Sequence, residues 1–411
     1  MIYLDNAATS CPKPPEVIEA VTRSLGEVCA NPSRGAYEMS VEASRSMLRT
    51  RQAVASLFGV SDPSRIIFTL NATHALNLAI KGLVRAAMDG RPRPRRGGAA
   101  SPHPVHIVTS SLEHNSVARP LAALARQGVE VTRIPCLSDG TTDPDDILRA
   151  VRPNTALVVL THASNVLGTL LPVEQVGPAL RERGIPLLVD AAQTAGSFPI
   201  DVQAMGIGLL ALSGHKGLLG PQGIGLLYVA PEIELTPLVE GGTGSQSESV
   251  EQPRELPDRL EAGTPNSPGI AGLGAGVEVV KRMGIAERGA RECALARRLR
   301  TRLAELPGLR LYGPPTGTPA APIVSLAVDG LASAEVAHIL ATHFGIAVRA
   351  GLHCAPEAHR VTGTLATGLV RLSVGHANTE ADIDAAVEAL TQIVSKPAQY
   401  WLKVREASHA R

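Results

Sequence analysis

Short apolar runs alternate with segments of helical periodicity from about residue 50 to residue 230, and this alternation constrains the fold more than any other feature of the chain. Most of the runs are apolar throughout, as expected of parallel strands that are buried on both faces. The pattern predicts an α/β fold in which helices cover both faces of a mainly parallel sheet. The predicted strands are 65–69, 105–109, 129–134, 156–161, 185–190, 209–213 and 223–229.

A stretch rich in Gly, Ser, Glu and Pro, residues 231–268, precedes a C-terminal part of different character. The elements predicted there are helices at 285–306, 333–343 and 379–394 and strands near 323–328 and 370–374. The change predicts two domains, a large one of residues 17–268 and a smaller α+β domain formed by 1–16 and 269–411.

Composition excludes several classes of protein. The 411 residues include 39 Lys+Arg and 38 Asp+Glu, and a formal net charge of +1 gives no basic field to attract nucleic acid. Charged residues, Gly or Pro interrupt every apolar run before the roughly 20 residues that a membrane span requires. The N-terminus lacks a signal-type apolar stretch, and five cysteines without a CxxC pair are typical of free thiols. We therefore expect a cytoplasmic protein with no nucleic-acid, membrane or metal partner.

One segment, 90–104, breaks the α/β pattern with Pro, Gly and four arginines. We interpret it as an exposed loop, inserted between a helix and a strand. The alternative is a contact surface for nucleic acid or for another protein.

Two ionisable residues follow neighbouring apolar strands. Asp190 ends the run 185–190, and Lys216 follows the run 209–213. Ligands of such sheets bind at the carboxyl ends of the strands, so both side chains are expected in one crevice, although an aspartate there can instead cap a helix. The chain has only six lysines, and Lys216 is the one predicted at a strand end. Burial lowers the pKa of a lysine and frees its amine to form an imine.

A lysine that forms imines beside a carboxylate is what pyridoxal 5'-phosphate requires, because the lysine holds the aldehyde and the carboxylate keeps the ring nitrogen protonated. Together with Gln193 and His215, these two residues resemble the fold-type I pyridoxal-phosphate enzymes, specifically the class V aminotransferase family that contains the cysteine desulfurases. The resemblance extends over nearly the whole chain, from the motifs 3–9 and 31–35 onwards. It implies that the large domain binds pyridoxal 5'-phosphate.

The resemblance also implies which residues hold the cofactor. Residues 69–77 match the family's phosphate-binding turn, at Ala72 and Thr73, although the family usually has Glu where His74 stands. His114 matches the histidine that stacks on the ring and relays protons; the alternative is a structural histidine. The other residues implied to bind the cofactor are Asn165, Asp190, Gln193, Ser213, His215, Lys216 and Thr264.

The segment 348–356 resembles the short active-site loop of the group II cysteine desulfurases and selenocysteine lyases. It implies that Cys354 is the nucleophile, and Arg349 adds a positive charge that favours a thiolate. Group II members commonly have His where Leu352 stands and another His near Tyr37, and both positions depart from that pattern. The other four cysteines, Cys11, Cys29, Cys136 and Cys293, are expected to be small buried apolar residues.

The resemblance also implies a substrate site and an assembly. Arg371 matches the arginine that pairs with the substrate α-carboxylate, a contact that suits the guanidinium fork, and Asn165 and Arg349 lie beside the substrate. Thr264 belongs to a segment that crosses to the partner subunit, which implies a homodimer with composite active sites.

These residues imply a cysteine desulfurase that converts L-cysteine to L-alanine, with Lys216, His114 and Cys354 as catalytic residues. The sulfur becomes a persulfide on Cys354 and passes to a sulfur-acceptor protein, in a pathway such as iron–sulfur cluster assembly. Two alternatives stay open. One is a selenocysteine lyase or another class V lyase or aminotransferase, and the other is a degenerate scaffold of the same fold without activity.

Overall fold

The computed structural model describes residues 1–32, 35–88, 104–396 and 400–401. Within these residues, no helix is both long enough and apolar enough to cross a membrane. The segment 90–104, apart from its last residue, lies outside the described residues, so its interpretation as an exposed loop stays a prediction.

The chain forms two sheets of several strands and helices that pack on them. The strands are β1 (Ile2–Tyr3), β2 (Ile66–Thr69), β3 (His106–Ser110), β4 (Glu130–Ile134), β5 (Thr155–Thr161), β6 (Leu187–Asp190), β7 (Leu209–Ser213), β8 (Gly225–Val229), β9 (Leu309–Tyr312), β10 (Ile323–Val328), β11 (Ile346–Ala347), β12 (Arg349–Gly351) and β13 (Leu369–Ser373). The α-helices are α1 (Pro15–Gly26), α2 (Glu38–Leu57), α3 (Ala72–Met88), α4 (Asn115–Ala125), α5 (Pro144–Arg149), α6 (Val173–Glu182), α7 (Ser267–Met283), α8 (Ile285–Leu303), α9 (Ser333–Phe344), α10 (Pro356–Val361) and α11 (Glu380–Ser395).

The larger sheet has seven strands in the order β2–β8–β7–β6–β5–β3–β4. Strands β3 to β7 run parallel to their neighbours within this group, and β8 runs antiparallel to both β2 and β7. Every residue of β5, β6 and β7 is buried, which explains why these strands have no polar alternation. The predicted α/β fold with a mainly parallel sheet is confirmed, and the carboxyl ends of the five parallel strands β3 to β7 lie at one edge.

Apolar side chains form two principal cores. The larger surrounds the seven-stranded sheet, and the second joins α8, α9 and α11 to the four-stranded sheet β12–β13–β10–β9 and includes Leu4 from the N-terminus. Helix α7 falls within the predicted second domain, 269–411, but it packs on α1 and α2 and contributes Ile270 and Leu273 to the larger core. The division of the chain into two domains itself stays a prediction.

Candidate active site

Asp190 and Lys216 extend from neighbouring strands at the carboxyl edge of the sheet. Asp190 is the last residue of β6, and Lys216 follows the end of β7, which pairs with β6. Burial raises the pKa of Asp190. Two weaker effects lower it, namely the charge of Lys216 and the amide of Ala192, which donates to Oδ1 of Asp190 at 3.0 Å. Burial lowers the pKa of Lys216 to about 8. About half of the Lys216 amines are therefore neutral at pH 8, and a neutral amine can attack an aldehyde.

The start of α3 offers an anion site. Ala72 and Thr73 are the first residues of this helix, whose first amides have no acceptor within the helix. The turn lies directly against Gly225 of β8, where a Cβ atom would stand 2.4 Å from the carbonyl carbon of Asn71. On the β7 side, Ser213 is buried and Nδ1 of His215 is buried without a hydrogen-bond partner. These donors and the Asp190–Lys216 pair fit pyridoxal 5'-phosphate.

His74 takes part in the same turn. Its Nδ1 accepts the amide of Leu70 at 3.3 Å, and its own amide donates to Oδ1 of Asn71 at 2.9 Å. The imidazole nitrogen is thus the acceptor that holds the turn, a task that a carboxylate at this position could also perform.

His114 is fixed by hydrogen bonds to the start of α4. The amide of Ser116 donates to its Nδ1 at 3.0 Å, and the Ser116 hydroxyl lies 2.7 Å from the same nitrogen. That hydroxyl also lies 2.8 Å from Oγ1 of Thr73, which links the ring to the anion site. Burial, aided by the nearby charges of Lys216 and Arg349, lowers the pKa of His114 to about 4. The ring is therefore neutral near pH 7, and since Nδ1 accepts an amide proton, Nε2 carries the ring's own proton.

Cys354 lies on the turn that follows β12, and this turn is attached to the crevice at two points. The amide of Asn115, next to His114, donates to the Cys354 carbonyl at 2.7 Å. Nδ2 of Asn165 donates to the His353 carbonyl at 2.7 Å. Asn165 was predicted to lie beside the cofactor ring and the substrate, and here its amide also holds the cysteine loop. His353 and Cys354 have φ values of 48° and 58°, a left-handed conformation that costs free energy for residues other than Gly.

Two arginines lie opposite each other on the antiparallel strands β12 and β13. Arg349 is opposite Arg371 in the antiparallel register, and Arg371 is one of the most buried side chains of the molecule. One nitrogen of Arg371 pairs with Asp5 at 2.8 Å, another donates to the Asn165 carbonyl at 3.0 Å, and its Nε has no partner. Asp5 was not singled out from the sequence, although it lies in the N-terminal motif 3–9. It holds the buried guanidinium from the N-terminal segment.

Two predicted cofactor residues have other surroundings in the single chain. Nε2 of Gln193 donates to the Ala7 carbonyl at 3.1 Å, which attaches the strand end to the N-terminal segment. Thr264 is exposed and lines a different cavity, of about 540 Å³, together with Leu70 and His74. The structure does not bring Thr264 to Lys216, and a contact with a partner's cofactor stays a prediction.

The other cysteines fall into two groups. Cys11 and Cys29 are exposed, so the expectation that they are buried apolar residues is wrong. Burial raises the pKa of Cys136 and of Cys293 to about 11, which makes both thiols poor nucleophiles at neutral pH.

Sequence reasoning assigned no role to Lys13, one of the six lysines. Its Nζ donates to the carbonyl of His215, the residue before Lys216, at 2.8 Å. The signal available was that lysines are scarce and that this one follows the N-terminal motif within a few residues.

Glu113 is a buried carboxyl group behind the crevice. Its Oε1 accepts from the Ser110 hydroxyl at 2.6 Å and from the Thr161 amide at 3.0 Å, so it joins the ends of β3 and β5. Its Oε2 is buried without a partner. Burial raises the pKa of Glu113 to about 8, and the charge of Asp190 acts in the same direction.

We expect the difference in unfolding free energy between Glu113→Gln and the wild type to shift in favour of Glu113→Gln as the pH rises from 6 to 9. Between the unfolded pKa of 4.5 and the folded pKa of about 8, the folded chain retains a proton that the unfolded chain has released. The contribution of Glu113 to wild-type stability therefore falls with rising pH, at up to about 1.4 kcal/mol per pH unit. Glutamine keeps the acceptor oxygen but cannot ionise. Thermal unfolding at the two pH values measures the difference, and exposed Glu174→Gln is the control. Equal pH dependence in Glu113→Gln and wild type would contradict the prediction.

Comparisons with known proteins agree with this geometry. Residues 2–386 match the family model described as aminotransferase class-V. A probable cysteine desulfurase of Methanothermobacter thermautotrophicus is 35% identical over 397 residues, which cover 95% of this chain and 94% of that protein.

Solved structures show the same likeness. The apo structure of a cysteine desulfurase from Thermococcus onnurineus superposes with a TM-score of 0.87 and 33% identity, covering 96% of this chain and 94% of that one. The cysteine desulfurase CsdA of Escherichia coli gives a TM-score of 0.83 and 29% identity, covering 96% and 94%. The chain therefore belongs to the class V aminotransferase family and, within it, to the pyridoxal-phosphate-dependent cysteine desulfurases.

Proposed function

We propose that this chain converts L-cysteine to L-alanine and takes up the sulfur as a persulfide on Cys354. The attachment of the Cys354 turn to Asn115 and Asn165 is the observation that carries the proposal, because it holds an exposed thiol at the crevice of Lys216 and Asp190. A cysteine unrelated to the chemistry would not need two hydrogen bonds that join its loop to the site.

Arg371 and Arg349 bind and orient the substrate. The guanidinium of Arg371 is already fixed by Asp5 and by the Asn165 carbonyl, so little conformational entropy is lost when it binds the α-carboxylate. Its unpaired Nε and the nearby charge of Arg349 provide further attraction for an anion.

When bound, pyridoxal 5'-phosphate supplies an electron sink conjugated with the substrate Cα. Asp190 would favour the protonated form of the ring nitrogen, because a buried carboxylate is costly without a positive partner. The neutral amine of Lys216 takes the proton from Cα of the substrate. The ring of His114 is neutral and has a proton on Nε2 that is available for transfer.

The Cys354 thiolate attacks the sulfur of the substrate. A sulfur–sulfur bond forms, the bond between Cβ and sulfur breaks, and its electron pair remains on the substrate. Protonation of Cβ completes the methyl group of alanine, so that cysteine and one protein thiol give alanine and one persulfide. No external oxidant or reductant is required.

The exposure of Cys354 supports transfer of the sulfur to an acceptor protein, which must reach the persulfide from solvent. The exposure of Thr264 on a separate cavity supports a homodimer in which this segment serves the partner's site. The five thiols without a CxxC pair support a cytoplasmic location.

The test is to incubate the pure holoenzyme with L-cysteine, to measure alanine, and to search for a persulfide on the Cys354 peptide by mass spectrometry. Parallel reactions with L-selenocysteine and L-cysteine sulfinate determine the substrate preference. Alanine in amounts equal to the sulfur on Cys354 in the first turnover supports the proposal. Turnover of the other two substrates without persulfide formation from cysteine would overturn it.

We expect Arg371→Lys to raise the KM for cysteine about tenfold to a hundredfold, because an ammonium cannot reproduce the bidentate contact of a guanidinium with a carboxylate. The lysine keeps the charge opposite Asp5, so the fold and the cofactor absorbance should be retained. Steady-state kinetics measure the effect, and Arg310→Lys, on the exposed face of β9, is the control. An unchanged KM would contradict the assignment of Arg371.

A further inference from the structure

The backbone is held by cationic side chains on both sides of Lys216. Nζ of Lys13 donates to the carbonyl of His215 at 2.8 Å, and Nη1 of Arg288 donates to the carbonyl of Gly217 at 2.6 Å. Neither cation belongs to the sheet, because Lys13 lies in the N-terminal segment and Arg288 in the first turn of α8. Neither Lys13 nor Arg288 takes part in the reaction steps proposed for cysteine.

The N-terminal segment places four donors on one oxygen atom. The His215 carbonyl accepts the Lys13 amine, the Ser10 amide at 3.0 Å, and the hydroxyls of Thr9 and Ser10 at 3.1 and 3.2 Å. A carbonyl oxygen has two lone pairs, so this peptide group is bonded more heavily than an ordinary turn requires. Burial lowers the pKa of Lys13 to about 8, and its bonds to His215 and to the Ser10 hydroxyl offset part of that desolvation.

The opposite side is held by a buried ion pair. Nε of Arg288 lies 2.7 Å from Oε1 of Glu292, and the Ser197 hydroxyl donates to Oε2 of Glu292 at 2.7 Å. The two charged side chains are only 3% and 2% exposed. A Cβ atom at Gly289 would lie 1.8 Å from the Ser197 carbonyl oxygen, so α8 packs directly on this loop. The geometry leaves Arg288 little freedom to move away from the Gly217 carbonyl.

We propose that Lys13 and Arg288 are positioning residues that brace the two peptide segments flanking Lys216 and thereby direct its amine toward Asp190 and the substrate. The proposal rests on the role of Lys216 in the proposed function. Misplacement of a reacting group by about 1 Å can lower a rate about a hundredfold, so a brace of this kind affects kcat more than KM. The two braces differ in charge, since Glu292 neutralises Arg288 while Lys13 contacts neutral oxygen atoms.

The first test is Lys13→Met, which keeps an unbranched apolar side chain and removes the charge and the donors. We expect kcat to fall about tenfold with little change in KM. The pH midpoint of the absorbance of the Lys216-bound cofactor should rise, because the positive charge of Lys13, which lies at the carbonyl one residue before Lys216, no longer opposes protonation. Lys13→Arg should restore most of both values, and exposed Lys281→Met is the matched control. The other charged and titratable groups near Lys216 are the same in the wild type and in Lys13→Met. They are Asp190, Asp5, Arg371, Arg349, His114 and His215.

The second test replaces the ion pair in the double variant Arg288→Met, Glu292→Met. Apolar residues of similar volume often preserve stability where a buried pair is removed, and thermal unfolding verifies this. We expect kcat to fall about tenfold. The absorbance midpoint should stay within about 0.2 unit of the wild type, because the charge removed is zero overall.

An unchanged kcat in Lys13→Met, or in the double variant, would overturn the proposal. The absorbance midpoint and the rate at which the cofactor dissociates are measured without cysteine, and we expect the cofactor to dissociate faster from both variants than from the wild type, because the peptide groups beside Lys216 are held less firmly. If the wild type proved inactive on cysteine, these two measurements would still test the brace, so the two failures are distinguishable.

Discussion

The Lys216→Ala variant is expected to form alanine from cysteine at least about 10⁴-fold more slowly than the wild type. In the proposed function, the substitution removes both the amine that attaches the cofactor and the base that takes the proton from Cα. Burial lowers the pKa of this amine to about 8, and among the described residues no other lysine lies at the end of a central parallel strand. Borohydride reduction followed by mass spectrometry should find the cofactor on the Lys216 peptide of the wild type and on no peptide of the variant.

Two further measurements make this prediction specific. Lys281→Ala, on the exposed side of α7, should keep wild-type activity and cofactor content. Addition of a small primary amine should make Lys216→Ala at least about tenfold faster than the same variant without the amine, since the amine can enter the space vacated by the side chain. Alanine formation within tenfold of the wild type, without added amine, would show that Lys216 does not perform these tasks.

The fold was largely predictable because its strands are long enough and apolar enough to give a signal. Leu209–Ser213 and Ile323–Val328 were placed with the same bounds that the structure has, and β5 differs by one residue. Strands β1, β9, β11 and β12 escaped prediction, and three of them, β1, β11 and β12, have only two or three residues, which cannot establish a period. Helix α7 was assigned to the second domain because the linker before it marks a change of composition, whereas its apolar face packs on α1 and α2.

The site residues were predictable where an ionisable side chain comes directly after an apolar strand. Asp190 and Lys216 stand at strand ends, where the register of a parallel sheet places them together. The contacts made by Lys13 and Arg288 could not be predicted, because they bring side chains from distant parts of the chain to backbone carbonyl groups. Every residue has a backbone carbonyl group, so no sequence pattern shows which of them will accept a hydrogen bond from a distant side chain.

The attachment of the Cys354 loop to the end of β5 has the same origin. Asn165 holds the His353 carbonyl from 188 positions away, and Arg371 reaches the Asn165 carbonyl across 206 positions. The four-stranded sheet thus carries Arg371 on β13 and Cys354 on the turn after β12, and Asn165 connects both to the end of β5. Any shift of the antiparallel pair β12–β13 would move Cys354 and Arg371 together, which would keep the thiol aligned with a substrate bound by Arg371 as proposed.

Cys354→Ala is expected to lose persulfide formation completely and to lower alanine production from cysteine at least about 10³-fold. Alanine keeps the Cβ atom, so the left-handed backbone at this residue experiences the same strain and the hydrogen bonds to Asn115 and Asn165 should persist. The cofactor absorbance should therefore match the wild type. Cys29→Ala removes another exposed thiol and serves as the control, with full activity expected.

The choice of substrate separates a lost nucleophile from a damaged site. Cysteine sulfinate can lose its sulfur as sulfur dioxide without a protein thiol, so Cys354→Ala should process it at a rate close to that of the wild type. Loss of both activities would mean that the substitution disturbed Asn165 or Arg371 rather than the chemistry of sulfur transfer. Persulfide or sulfide output from cysteine at the wild-type rate would show that another group accepts the sulfur. Since burial raises the pKa of Cys136 and Cys293 to about 11, that group would have to be an exposed thiol, Cys11 or Cys29.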